Sequence, residues 1–530
     1  YAFEVARNAE DKSGYSPIRT NQDAAIRLSK NMSTRYYMNY QSSLNYARSF
    51  GKHQVTGMFL FQRDNWDQYG ADLPYNIIGL VGRGTYSYDN RYLAEFNYGY
   101  NGSEQFAPNN RFGSFPAFSL GWVASNEAFL KGNTTLTNLK FRASYGIVGN
   151  DKLGGSRFLY QSFINLSGGV FPSLGLGQSV VQGRMGNESL QWEKAAKSNI
   201  GVDLSLFNSL SFTLDLFKED RDKILISRKT IPELQGVNLG NIPKVNIGEV
   251  ENKGFEAELV YKKSFNSAFS LLLKGNYAYN KNQVNFFDEV QYGSDYAYRN
   301  RVTGFSIGQQ FGYTIDYSNG NGYINTQEEL DNLPDYQMGG TARLGDFKYV
   351  DVTGDGVIND RDMVPIGSPQ VPQSSYGFAA SVTYKSIDFS MLLTGVGKTH
   401  RYTNGWGSTE FGLVGFYSGW HKNAWTAERY ANGEEILYPA LGVSSGVSQN
   451  PNSVFIMDRS FLRLKSLEVG YTLPAVLLKS LGVQRVRVYA NGNNLLTFKK
   501  MPIDTIDPEQ ADALVYPLTK MYNFGLNISF

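Results

Sequence analysis

The last ten residues, MYNFGLNISF, alternate without a break. Tyr522, Phe524, Leu526, Ile528 and Phe530 fall on one side of an extended chain, and Asn523, Gly525, Asn527 and Ser529 fall on the other. A period of two is that of a β-strand, whose side chains point to opposite faces in turn. The pattern recurs at Leu139, Phe141, Ala143, Tyr145 and Ile147, at Leu210, Phe212, Leu214 and Leu216, and at Phe269, Leu271, Leu273, Gly275, Tyr277 and Tyr279. It returns at Tyr376, Phe378, Ala380, Val382 and Tyr384, and at Leu467, Val469, Tyr471 and Leu473. Roughly 15 such segments can be counted, and several reach the 9 to 11 residues a tilted strand needs to cross a bilayer.

A soluble β-sandwich or propeller also alternates. Three features favour a transmembrane antiparallel β-barrel instead: long strands, rings near strand ends (Tyr86, Tyr88, Tyr92, Phe96, Tyr98, Tyr100), and a final strand that finishes on Phe530. No window holds the run of about 20 apolar residues that a transmembrane helix requires. The mean hydropathy of -0.35 agrees, but alternating strands hide from such averages, so a barrel stays open. Cysteine is absent, so thiols say nothing of the redox compartment. The 50 basic and 48 acidic residues are interspersed, leaving no basic face for nucleic acid and no polybasic tail for anionic lipid.

Connection lengths alternate too. Tight turns fall at Asp89-Asn90, around Lys262 to Ser267 and at Lys385-Ser386, whereas polar excursions occupy about 101–116, 148–190, 281–374 and 397–458. Outer-membrane barrels keep short turns on the periplasmic side and long loops outside. The chain opens at Tyr1 with neither Met nor signal peptide, so an upstream portion of a longer protein is expected.

One excursion contains DVTGDGVINDRD. Its spacing is that of a calcium loop: Asp351, Thr353, Asp355, the Val357 carbonyl, Asn359 and Asp362 supply oxygens, and Gly356 makes the sharp turn. Asp362 stands where a bidentate Glu is usual, and the flanks do not read as a helix pair. A structural calcium ion stapling the loop is the expectation, and an Asp/Asn/Gly-rich turn without an ion is the alternative. Rings in the loops, Trp66, Tyr69, Trp406, Tyr417, Trp420 and Trp425, are candidates for ligand or partner contact, belt residues or loop packing.

Catalysis finds little footing. GFSIG places Ser306 in a G-x-S-x-G match with no helix to follow, and chance explains it better. His53, His400 and His421 are the only imidazoles, and with no Cys they complete no nucleophile and base set. His421 is expected at the surface. The chain reads as a non-enzyme.

Longer stretches carry a resemblance. LPYNIIGLVGRGTYSYDNRYLAEFNYGYNGSEQFAPNNRFGSFPAFSLGWVASNEAFLK (73–131), LQWEKAAKSNIGVDLSLF (190–207) and NIGEVENKGFEAELVY (246–261) resemble successive barrel segments of SusC/RagA-like TonB-dependent outer-membrane transporters. So do GDFKYVDVTGDGVINDRDMVPIGSPQVPQSSYGF (345–378), SFLRLKSLEVGYTLP (460–474) and VYANGNNLLTF (488–498). The resemblance implies a barrel of about 22 strands around an N-terminal plug, of which residues 1–530 would form roughly the last two thirds, without plug. It implies TonB-driven import of an oligosaccharide or peptide across the outer membrane of a Gram-negative bacterium. The implied partners are a SusD-like surface lipoprotein acting as a lid and the TonB complex, reached through a plug that this chain does not contain. A passive outer-membrane channel is the alternative, and behind it a soluble calcium-binding surface adhesin.

Overall fold

The structure is a computed structural model that describes residues 3–7, 15–19, 35–67, 73–154, 157–171, 176–290, 301–405, 407–409, 417–442, 446–478, 482–510 and 515–530. Its centre is one antiparallel sheet of 15 strands in strict chain order. The first half comprises β1 (Tyr37–Phe50), β2 (His53–Trp66), β3 (Tyr75–Tyr88), β4 (Tyr92–Ser103), β5 (Phe112–Val123), β6 (Leu136–Asn150), β7 (Glu193–Leu206) and β8 (Leu210–Ile226). The second comprises β9 (Val245–Asn266), β10 (Phe269–Phe286), β11 (Ser374–Tyr384), β12 (Ile387–Gly397), β13 (Phe461–Thr472), β14 (Arg485–Lys499) and β15 (Met521–Ser529). Each strand pairs only with its chain neighbours, and β1 and β15 are the sheet's two edges, unpaired with each other. Strand number and class match the alternation in the sequence. A separate ribbon pairs Phe3–Arg7 with Tyr15–Arg19.

Register carries the alternation from strand to strand. Ile200, Leu216, Phe255 and Tyr279 lie side by side on one face, and Asn199, Phe217, Gly254 and Asn280 on the other. In a soluble sandwich the apolar face would be covered by a second layer. Here Ile200 and Leu216 are 65% and 52% exposed, so the apolar face is the outer one and meets hydrocarbon. Along β9 the outward positions from Phe255 to Phe265 are apolar except for Lys263 near the lower end, whose ammonium lies 5.3 Å from the Phe265 ring centroid, and rings bound the stretch at both ends. Phe255 packs 5.7 Å from Tyr277 and 6.1 Å from Tyr279, while Phe265 stacks 4.9 Å from Phe269, itself 6.2 Å from Tyr384. About ten residues at about 3.3 Å each, tilted 35–45°, rise about 25 Å, the height of the apolar band of an outer-membrane barrel.

The two ends differ as the turn signals imply. At one end the connections include 51–52, 89–91, 207–209, 267–268 and 385–386. Asp89 and Asn90 have φ of 51° and 54°, and Phe207 and Asn208 both 53°, the doubly left-handed geometry that matches the twist of a hairpin. At the other end the connections are 104–111, 151–192, 227–244, 287–373, 398–460 and 500–520, besides 67–74. The strands run several residues further into the long excursions than the turn residues alone mark.

The excursions are not loose. Tyr313, Tyr323, Phe347 and Ile358 from 287–373, Trp420, Trp425, Tyr438 and Phe455 from 398–460, and Met501, Ile503 and Ile506 from 500–520 form one buried core. This roof corrects part of the sequence reading. Trp420 and Trp425 are only 7% and 8% exposed and pack inward, so they are not contact rings. His421 is buried rather than superficial, its ring 4.4 Å from that of Tyr438. The physical reason is the ordering cost: long connections stay structured only by burying apolar area, and aromatic residues bury the most. Tyr417 remains 55% exposed, and Tyr69 and Trp406 lie outside the described residues.

Candidate functional site: the inner wall beneath the roof

The inward face of the strands is polar, and its charges are tied across the sheet. Arg142 on β6 reaches over β7 to Asp215 on β8, with Nη2 2.6 Å from Oδ2, and also pairs with Asp203. It can do so because Gly201 lies between them; a Cβ there would stand 2.6 Å from the guanidinium carbon and 2.8 Å from Asp215 Oδ1. The device recurs at β12–β14. Arg487 donates to Asp388 at 2.9 Å and to Glu468 at 2.6 Å, and Gly470 leaves the space over β13.

Two recesses open near the long-loop end. One, of about 630 Å³, is floored by β7–β10, with Glu219, Arg221, Asn252, Asn280, Asn282 and Val284 among its lining residues. Arg221 is held by Glu193 at 3.0 Å and Glu219 at 2.7 Å. Asn252 Oδ1 is a buried acceptor with no donor among the described residues. The segment around Ser306 roofs this recess: Ser306 Oγ donates to the Asn282 carbonyl at 2.6 Å, and the Ile307 N–H donates to Asn282 Oδ1 at 2.7 Å. The serine hydroxyl is thus a loop tie whose proton is already given to a backbone oxygen. The histidines are engaged locally as well: His53 contacts Tyr86 at 2.8 Å, His400 Nδ1 accepts from the Ser368 N–H at 3.0 Å, and His421 Nδ1 accepts from the Ser418 N–H at 3.0 Å.

The second recess, of about 450 Å³, is walled by Trp66, Tyr75, Gln105, Asp151 and Arg157. Trp66 ends β2 and stacks on Tyr75 at 5.1 Å and 5°. Arg157 lies over the same Tyr75 ring at 3.9 Å and bonds Glu104 at 2.8 Å. Gln105 is buried, yet its Nε2 has no acceptor among the described residues. Of the ring candidates among the described residues, Trp66 is the one placed in a recess of the inner wall. Sequence reasoning missed Gln105, Arg157 and the Asn252, Asn280 and Asn282 group. The inward parity of β9 and β10 was the available signal for the last three.

The 351–362 loop lies in the roof. Gly354 and Gly356 have φ of 70° and 78°, and Asp351 accepts from the Gly354 N–H at 2.7 Å and the Gly356 N–H at 2.8 Å. Fully buried Asp362 accepts from the Val352, Thr353 and Asn359 N–H groups at 2.9, 3.1 and 2.9 Å. Thr353 Oγ1 stands 3.2 Å from Asp351 Oδ1 and 3.2 Å from Asp362 Oδ1, so one hydroxyl proton faces two carboxylates. Asp355 turns to the Val357 N–H at 3.0 Å, and Asn359 Oδ1 to the Arg361 N–H at 2.8 Å. Among the described residues no three His, Cys, Asp or Glu groups converge as a metal site. Three of the six expected oxygen donors therefore meet, and the others serve the turn.

Comparison with known proteins adds the following. Residues 1–495 match the family model described as "TonB dependent receptor-like, beta-barrel". TonB-dependent receptor P3 of Formosa agariphila is 28% identical over 490 residues, covering 86% of this chain and 45% of that protein. TonB-dependent receptor SusC of Bacteroides thetaiotaomicron is 26% identical over 535 residues, covering 94% and 50%. The chain thus spans about half the length of the curated relatives it matches. A structure of the RagAB peptide transporter superposes with a TM-score of 0.70 at 20% identity, over 94% of this chain and 56% of that one, which bears on fold.

Proposed function

The chain belongs to the TonB-dependent receptor-like β-barrel family of the outer membrane, and we propose that the whole receptor imports an oligosaccharide or peptide nutrient, with these residues as wall and extracellular roof. The observation that carries this reading is the pairing of an apolar outer face with a polar inner face whose recesses hold unsatisfied amide groups, Asn252 and Gln105. Amides, paired carboxylates and the Trp66–Tyr75 stack suit hydroxyl-rich or peptide cargo alike. A SusD-like lipoprotein would close over the roof, and TonB acting on a plug would open the path inward. The energy comes from that linkage, while the wall binds, orients and excludes lipid. Cells making the whole receptor should take up cargo only while the inner membrane is energised. Uptake that survives its collapse would favour the passive channel.

For the 351–362 loop we propose calcium as a staple, held by Asp351, Thr353 and Asp362 and completed by Asp355, the Val357 carbonyl and Asn359. Its support is the spacing and the proton-poor contact of Thr353 with two carboxylates.

A further inference from the structure

Outward positions change character abruptly one row above Ile200, Leu216, Phe255 and Tyr279. The next row is Ser198, Lys218, Lys253 and Lys281, with Lys218 directly opposite Lys253 and Lys253 directly opposite Lys281. Lys398, just beyond β12, adds a fourth ammonium, 4.7 Å from the centroid of the Tyr279 ring. Like charges directly opposite in a sheet are unfavourable. Two carboxylates offset them in part: Glu251 pairs with Lys253 at 2.7 Å and Lys218 at 3.1 Å, and Asp220 pairs with Lys218 at 2.9 Å. Lys281 and Lys398 have no carboxylate partner among the described residues, and among those residues four ammonium groups face two carboxylates.

Its level decides what could neutralise it. The patch sits where the apolar band ends, on the side of the long loops, which is the height of the outer-leaflet head groups. It faces away from the lumen; Glu219, Asn252 and Asn282 take the inward positions of the same strands. Below it, exposed Ile200 and Leu216 offer a seat for acyl chain. Cations above and grease below match the two halves of a phosphorylated amphiphile, and lysine stems let the ammonium groups reach outward while their methylenes stay on the wall.

We propose that Lys218, Lys253, Lys281 and Lys398 bind the phosphate of an outer-leaflet glycolipid, fixing one lipid molecule to the outside of the wall. This rests on the orientation of the sheet and is independent of the cargo. The test uses the whole receptor purified from its own outer membrane in mild detergent, with retained phosphate-bearing lipid counted by native mass spectrometry. Wild type should retain lipid, and Lys281→Gln with Lys398→Gln should retain roughly thirtyfold less, as expected for two lysines at head-group level. The paired Lys→Arg variant should retain it, and heat-dependent gel mobility identifies a folded wall in each case. In nanodiscs, lipid A should raise the thermal midpoint of wild type above that in lipid A stripped of phosphate, and the Gln pair should lose this difference. Equal retention by wild type and the Gln pair overturns the proposal. Displacement of the lipid by millimolar inorganic phosphate also overturns it, in favour of a free-anion site.

Discussion

Wall and roof use the same residues in opposite senses. On the wall Phe524 is 85% exposed, while in the roof Phe347 is 1% exposed. Rings such as Phe524 look outward because hydrocarbon is the wall's solvent, and between the edge strands β1 and β15 its backbone is satisfied by neighbouring strands, as a membrane demands. The roof stands in water and must make its own dry centre, so its rings turn in. Hydropathy alone cannot tell these apart; only the period of the pattern and the length of the connection can.

Four experiments would break or sharpen this contrast. The largest effect belongs to Phe347→Ala, which empties a fully packed site and should cost the roof about 3–5 kcal/mol; protease should then cut 287–373 while heat-dependent mobility still reports an intact wall. In the opposite sense, Leu259→Arg places a charge at mid-height of the outward face and should cost the wall about 2–4 kcal/mol, read as lost folding yield in vesicles. If both variants damage roof and wall equally, the two are one cooperative unit and the contrast fails.

Calcium should act on the roof alone. At an excess of a hundred times Kd it should contribute about 2.7 kcal/mol, slowing amide exchange in 351–362 about a hundredfold. Unchanged exchange, with Asp351→Ala behaving as wild type toward calcium, would return the loop to its own hydrogen bonds.

The smallest effect is acid sensitivity. Burial lowers the pKa of His421, so the folded roof keeps it neutral while an unfolded roof binds a proton below about pH 6.5. Roof stability should therefore fall as pH drops from there, by at most about 1.4 kcal/mol per unit of difference. Asp316 adds a second phase. Burial would raise its carboxyl, but the Lys348 ammonium and the Ser318 N–H and hydroxyl outweigh it and hold it below the usual range. That contribution is present above about pH 4 and is lost as pH falls further. Limited proteolysis against pH should show both phases, and His421→Phe should shrink the upper one to the part that His400, whose pKa burial also lowers, contributes.

What could be read from the sequence follows the same division. The wall's strands were legible because alternation is local: Phe269 to Tyr279 declares its strand without reference to anything else. The face of Asn252, Asn280 and Asn282 was available from the same parity, although their meeting in one recess needed the register of β9 against β10. The roof was illegible because its core joins residues a hundred positions apart, as when Trp425 Nε1 donates to Asn325 Oδ1 at 3.1 Å. Nothing near Trp420 or His421 in the chain announces Phe455 or Tyr438 as a neighbour. The 351–362 loop lies between: its turn was written in Gly354 and Gly356, but the direction of each carboxylate was not.

The glycines beneath Arg142 and Arg487 have a mechanical consequence. A hydrogen-bonded sheet fails most readily by peeling, one ladder at a time. A cross-tie that skips a strand, from β6 to β8 or from β12 to β14, cannot yield until the two ladders beneath it yield together. A tug on the inner surface is thereby shared among three strands, and two missing side chains are what make that sharing sterically feasible.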